Sequence, residues 1–197
     1  MECFMDELAE YAGVDPVELR RKYSANYPRN LAVLNAVADR IGWTKPAPAG
    51  VFRGIAQQKS FGSFVAAACE LSVTDGNKVK IHRIVAATDP GYAVNPAQIE
   101  RQVSGSFVYG LSALFEEECT VKNGRIEQTN FDTFGSIRLK QMPPVETIII
   151  QGGGKEWGGI GEPTISVAAP AVLNAYFKAT GKRIRTVPLK NSGITLV

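Results

Sequence analysis

Residues 63–100 read SFVAAACELSVTDGNKVKIHRIVAATDPGYAVNPAQIE, and the architecture turns on this stretch. Ser63–Thr74 and Lys78–Thr88 have strand-like composition, and Asp75-Gly76-Asn77 between them is a strong hairpin signal. The second run passes into Asp89-Pro90-Gly91-Tyr92-Ala93-Val94-Asn95-Pro96, a turn-rich connector. Asn95 can cap a helix, Pro96 suits its first position, and Gln98 stands where a capping box needs it. That helix should run to about Phe115, with Ile99, Val103, Phe107, Leu111 and Leu114 on one face. Gly105 and Gly110 inside it cost about 1 kcal/mol each relative to Ala. They are either simply tolerated or mark the close approach of a backbone or ligand. Asp89 and Asn95 read as turn and cap residues, although a helix N-terminus is also an anion-binding position.

Upstream, residues 1–44 read as a helical leader. A first helix spans 2–12, and a second opens at Asp15-Pro16, with Asp15 as cap and Glu18 placed to complete a capping box. A third runs from Pro28 to Ile41, with Leu31, Leu34, Val37, Ala38 and Ile41 on one face and Gly42 as its stop. Phe4, Leu8 and Tyr11 give the first helix an apolar stripe that needs covering. A true start and a fragment or split subunit are equally compatible with that stripe. Residues 45–50 form a proline-rich linker, and residues 51–197 the main domain. Downstream lie a hairpin around Asn123-Gly124, a strand over Val145–Gln151, and a helix from Val167 or Pro170 to Lys178, stopping at Gly181. A last extended segment covers Ile184–Leu189. The expected class is α+β, antiparallel hairpins with intervening packed helices rather than a regular βαβ repeat.

The 197 residues, 45% apolar and 21% charged, have ordinary globular composition, and the net charge of +3 is small. Arg20-Arg21-Lys22 and Lys182-Arg183-Arg185 are short basic groups rather than a stripe, so no nucleic-acid partner is expected. Three cysteines and one histidine supply neither a disulfide framework nor a zinc or iron–sulfur motif. No run is long enough for a membrane span and no signal peptide is visible, which points to the cytoplasm unless a partner directs export to the periplasm.

Residues 152–161, GGGKEWGGIG, contain six glycines in ten. No Gly-Lys-Ser/Thr follows, and the Gly-x-Gly-x-x-Gly context of a first strand is missing, so neither nucleotide-binding motif is present. Composition leaves two readings: a flexible surface loop, or one that packs on a bulky ligand and presents Glu162, with Pro163 restraining the backbone behind it. A lone carboxylate can serve as a general base, but His82 lies in a strand as a hydrogen-bonded or surface residue and builds no triad. A base without further machinery points to chemistry supplied by a cofactor. Gln102 reads as a helix residue able to hydrogen-bond from a buried face. Trp157 is open among substrate approach, interface and core.

Five stretches in order, Glu2–Gly13, Phe52–Phe64, Asp89–Gly110, Asn130–Pro144 and Gly158–Gly181, resemble the molybdenum-binding subunit of the xanthine dehydrogenase/aldehyde oxidase family. The likeness is strongest to its isoquinoline 1-oxidoreductase and aldehyde dehydrogenase beta subunits. It implies a C-terminal molybdopterin-binding domain type, with Glu162 as the base beside molybdenum and Gln102, Gly159 and Gly161 as cofactor-binding positions. No side chain is implied as a metal ligand. The cofactor implied is molybdenum-pyranopterin, in its molybdopterin cytosine dinucleotide form, and the reaction is hydroxylation of an aldehyde or N-heterocycle with oxygen from water. Electrons would leave through [2Fe–2S] clusters on a partner subunit. Family subunits are several times longer, so an upstream portion or companion chain must complete the site. The rivals are a non-catalytic structural or assembly fragment of the same complex, and an unrelated small-ligand module.

Overall fold

The computed structural model describes residues 1–197. Three helices, α1 (Glu2–Ala12), α2 (Pro16–Tyr23) and α3 (Pro28–Ile41), precede strands β1 (Phe52–Ser60), β2 (Ser63–Thr74) and β3 (Lys78–Asp89). Helix α4 (Pro96–Phe115), a small hairpin β4 (Val121–Lys122) and β5 (Arg125–Ile126), β6 (Val145–Ile149), α5 (Ile165–Thr180) and β7 (Thr195–Leu196) follow.

The main sheet has the order β1-β2-β3-β6, and β7 also pairs with β3. Side chains of β2 alternate between two cores. Val65, Ala67, Cys69 and Leu71 face α4 and α5, whereas Ala66 and Ala68 face α3. Because both faces are covered, the strand is apolar almost throughout instead of alternating with polar residues. The layers lie close because the facing residues are small. A Cβ added at Gly54 of β1 would stand 2.2 Å from the Ala175 nitrogen and 2.3 Å from the Ala171 carbonyl oxygen of α5. Helix and strand backbones therefore touch at this point.

The hairpin β2–β3 and the bounds of α3 and α4 agree with the sequence reading. Four features differ. Residues 52–60 carry no strand expectation, yet they pair antiparallel with β2 from Phe52↔Leu71 to Ser60↔Ser63. Their signal is weak because Gly54 and Gln57-Gln58-Lys59 interrupt the apolar pattern. The sheet is also not wholly antiparallel. After the α4 crossover, β6 pairs parallel with β3 from Ile84↔Val145 to Thr88↔Ile149, the arrangement that an intervening helix permits. The last strand is Thr195–Leu196 rather than Ile184–Leu189, because residues 195–196 reach the free start of β3 at Lys78 and Val79. Helix α5 begins at Ile165 and holds Pro170 inside it.

The helical leader meets the rest of the chain in two ways. Val33, Leu34, Val37, Ala38 and Ile41 of α3 pack with Ala66, Ala68, Val85 and Ala87 of the sheet. By contrast, α1 docks through its polar side. Glu2 pairs with Arg20 (2.9 Å) and Asp6 with Arg183 (2.9 Å), and Glu7 and Glu10 pair with Arg185 and Lys178. Its expected apolar stripe points outward, with Phe4 59% and Tyr11 94% exposed. Most of the basic groups noted in the sequence are thus engaged by carboxylates of the same chain. Asp15 caps α2 by accepting from Val17 N–H (2.8 Å) and Glu18 N–H (3.1 Å), but the Glu18 carboxylate turns to Arg21 instead of closing a capping box.

Candidate functional site

Two elements distant in sequence build the site. Helix α4 starts where Asn95 accepts a hydrogen bond from Gln98 N–H (3.3 Å), with Pro96 in its first turn. Gln102, Gly105, Ser106 and Tyr109 recur at helical spacing and so share one face. Opposite them stand Gly161, Glu162 and Ile165, where the glycine-rich loop runs into α5. The seven residues line a cavity of about 390 Å³. An added Cβ at Gly161 would lie 3.9 Å from Gln102 Nε2, so the loop end passes within contact of that amide. A buried hydrogen bond of 2.6 Å between Ser106 Oγ and Thr164 Oγ1 fixes this register, two residues beyond Glu162.

The two helix glycines have separate causes. A Cβ at Gly110 would be 2.5 Å from the Ala168 Cβ, so this position is where α4 crosses α5 closely. At Gly105 the same atom would meet nothing within 4 Å, and the position opens into the cavity. Gln102 and Glu162 are both exposed, which corrects the expectation that Gln102 works from a buried face. The two polar side chains therefore stand at the solvent-facing side of the cavity.

The glycine-rich loop is not a free surface loop. Gly152 N–H donates to Asp89 Oδ1 (3.1 Å), Gly153 N–H to Gly91 O (3.0 Å), Gly158 N–H to Pro90 O (2.9 Å) and Gly159 N–H to Phe61 O (2.8 Å). Ser63 Oγ adds a bond to Gly159 O (2.5 Å), and the Trp157 ring stacks on Tyr92 at 5.3 Å between centroids. Gly159 therefore packs on the β1–β2 turn near Phe61, outside the cavity that holds Gly161. Trp157 is 65% exposed and belongs to no core.

Asp89 has its carboxylate engaged within the fold. It is 0% exposed and receives Arg29 Nε (2.7 Å) and Nη2 (3.0 Å) and the N–H groups of Gly91 (2.8 Å) and Gly152. Burial alone would raise its pKa, but the Arg29 guanidinium, followed by the two backbone donors, holds it below the usual aspartate value. His82 lies on the surface with Nε2 2.9 Å from Ser72 Oγ, as its place in a strand suggests. Sequence reasoning missed Ser106, Tyr109, Thr164 and Arg29. Ser106 was findable from its position one helical turn after Gln102. Arg29 carries no local signal, because its partner lies sixty residues away.

A larger cleft of about 480 Å³ lies between α1, residues 43–53 and Lys178, and none of the candidate residues lines it. No group of three or more His, Cys, Asp or Glu side chains converges to hold a metal ion. A pterin-bound metal carries its own organic ligand and does not need such a group. An amide that both donates and accepts, bare glycine backbone and a single carboxylate suit a pterin-bound metal.

The family model for the molybdopterin cofactor-binding domain matches residues 32–143, a range that includes Gln102 and stops before Glu162. The beta subunit of isoquinoline 1-oxidoreductase from Brevundimonas diminuta is 26% identical over 193 residues, covering 96% of this chain and 25% of that protein. A nicotinate dehydrogenase subunit from Pseudomonas putida is 28% identical over 206 residues, covering 95% of this chain and 17% of that one. Quinoline 2-oxidoreductase from Pseudomonas putida 86 superimposes on 64% of this chain and 17% of its own with a TM-score of 0.57 at 18% identity, a likeness of fold. This chain spans a quarter or less of the length of these curated relatives.

Proposed function

The chain belongs to the molybdopterin cofactor-binding domain family, and on that footing we propose that it supplies the C-terminal part of a molybdenum hydroxylase active site. The observation that carries this reading is the meeting of Gln102 and Glu162 across one cleft from segments sixty residues apart. A molybdenum-pyranopterin group, when bound, supplies the redox chemistry that adds water-derived oxygen to an aldehyde or N-heterocyclic carbon. In this proposal Gln102 faces the pterin with one amide donor and one acceptor, and Gly161 and Gly105 leave the room it needs. Glu162 accepts a proton from the group presented at the open side of the cleft, as a general base within hydrogen-bond reach does. Pro163 and the Ser106–Thr164 bond hold the backbone that carries that carboxylate.

The open side of the cleft is where a companion polypeptide, corresponding to the part of the relatives that this chain does not span, would complete the enclosure. The cytosine dinucleotide form of the cofactor, a [2Fe–2S] electron-accepting subunit, and action in the cytoplasm, or in the periplasm with an exported partner, belong to the same proposal. No helix is long and apolar enough to cross a membrane.

The test is reconstitution with an upstream molybdenum-subunit polypeptide. Molybdenum and pterin should co-purify with the complex. Glu162→Gln should lower turnover by about a hundredfold or more while cofactor content stays level. Retained hydroxylation in that variant removes the base assignment. A complex that binds cofactor but needs this chain only for stability favours the assembly role.

A further inference from the structure

The Arg29–Asp89 pair lies outside the cleft and the proposed chemistry does not use it, yet its geometry is more closely built than anything in the cleft itself. Asp89 closes β3, Arg29 comes from α3 in the leader, and Gly152 opens the loop that ends at Glu162. One buried carboxylate joins all three. Its Oδ2 takes Arg29 Nε at 2.7 Å, and its Oδ1 takes Arg29 Nη2 at 3.0 Å, Gly91 N–H at 2.8 Å and Gly152 N–H at 3.1 Å. A third guanidinium bond, Nη2 to the Asp89 carbonyl oxygen at 3.1 Å, and a Phe64 ring 4.5 Å from the guanidinium carbon fix the arginine from behind.

The fit is steric as well as polar. A Cβ on Gly152 would stand 2.2 Å from Asp89 Oδ2 and 3.0 Å from Arg29 Nε, so the loop backbone lies directly on the ion pair. The connector that follows Asp89 then acts as a mould. Gly91 O and Pro90 O receive Gly153 and Gly158, and Tyr92 stacks on Trp157. Both ends of the loop are thus tied: the start by this clamp, the far end by the Ser106–Thr164 bond.

We infer that Arg29 and Asp89 are positioning residues for the loop that carries Glu162, so that the helical leader sets the placement of the site without touching it. The inference rests on the Glu162 reading for its catalytic half only. Asp89 has its oxygens engaged and is sealed from water. Loss of the guanidinium leaves a buried carboxylate without its counter-charge, and such a group moves or takes up a proton. In either case Gly152 loses its anchor.

The test is hydrogen–deuterium exchange on the full chain for wild type, Asp89→Asn and Arg29→Lys. The lysine variant keeps the charge and loses the bidentate fork, so it is the gentler change and the one more certain to fold. The bonded amides of Gly152, Gly153, Gly158 and Gly159 should exchange about tenfold faster in Arg29→Lys, and faster still in Asp89→Asn, with β2 and α5 unchanged. Trp157 emission, read in a Trp43→Phe background, should shift as the Tyr92 stack loosens. Unchanged exchange in the loop of a folded variant overturns the inference. So does acceleration spread equally over β2 and α5, which marks a merely structural pair.

In the reconstituted complex, Arg29→Lys should lower kcat about tenfold and leave KM within about twofold. Retained activity in Glu162→Gln together with a loosened loop would overturn the base assignment and leave the clamp standing. An inactive Glu162→Gln with a loop indifferent to Arg29 would do the reverse.

Discussion

At the scale of single residues, bare backbone has two uses here, and substitution separates them. Gly54 is where β1 and α5 touch, and a methyl group there would fall 2.2 Å from a backbone nitrogen that cannot move alone. Gly54→Ala should therefore cost about 3 kcal/mol or more, or prevent folding. Gly105 has open space around it and sits inside a helix, so Gly105→Ala should stabilise the chain by up to about 1 kcal/mol. In reconstitution the same methyl group enters the cleft and should weaken pterin retention. Thermal melts of both variants, with cofactor content for the second, check the pair. Equal melting temperatures for the two variants would contradict this account of the packing.

At the scale of elements, the sheet is held across its strands by charge as well as by apolar contact. Glu70 of β2 accepts from Arg53 of β1 (2.8 Å) and from Arg83 of β3 (2.8 Å) at the register shift between β2 and β3. Burial pushes this carboxyl up, but the hydrogen bonds and charges of Arg53 and Arg83 bring it below the ordinary glutamate value. Asp89 is lowered in the same direction. A depressed folded pKa contributes stability that is fully present above the unfolded value, about 4.3 for Glu and 3.9 for Asp, and is lost as pH falls through the folded value. The melting temperature should accordingly hold steady with respect to these two groups above about pH 5 and drop below about pH 4. Glu70→Gln should lose about 2 kcal/mol at pH 7, near 6 °C in Tm, with the gap to wild type closing in acid. A gap that stays constant down to about pH 2.5 would exclude the ion-pair account.

At the scale of the whole molecule, the leader forms one of the layers that cover the sheet. Val17, Val33, Leu34, Val37, Ala38 and Ile41 are buried in a core shared with Ile55, Ala66, Ala68, Val85 and Ala87. At about 1.5–3 kcal/mol per large apolar side chain, that contribution is of the order of the whole stability of a domain, about 5–15 kcal/mol. Residues 45–197 expressed alone should lack a cooperative melt and bind a hydrophobic dye. Adding residues 1–44 as a separate polypeptide should restore order in proportion to its concentration. A soluble 45–197 with an unchanged melting temperature would show that α3 is dispensable.

Much of what depends on near neighbours was legible in the residues alone. The turn at Asp75-Gly76-Asn77, the caps at Asp15 and Asn95, the bounds of α3 and the face of α4 follow from dihedral preferences and helical spacing within a few residues. Gln102 and Glu162 were also marked separately, through the ordered family pattern around them. Folding in three dimensions was needed to place these two in one cleft, to bring β6 into the sheet in parallel, and to pack Gly159 against Phe61 instead of along that cleft. It also turned the apolar stripe of α1 outward, because the carboxylates on the other side found Arg20, Lys178, Arg183 and Arg185. Those outcomes depend on partners up to 178 residues apart, and no local preference encodes them. The loop of residues 152–161 shows the difference most plainly. Its glycines suit a flexible surface and a fitted backbone equally well, and the buried Asp89 beneath Gly152 is what makes it the second.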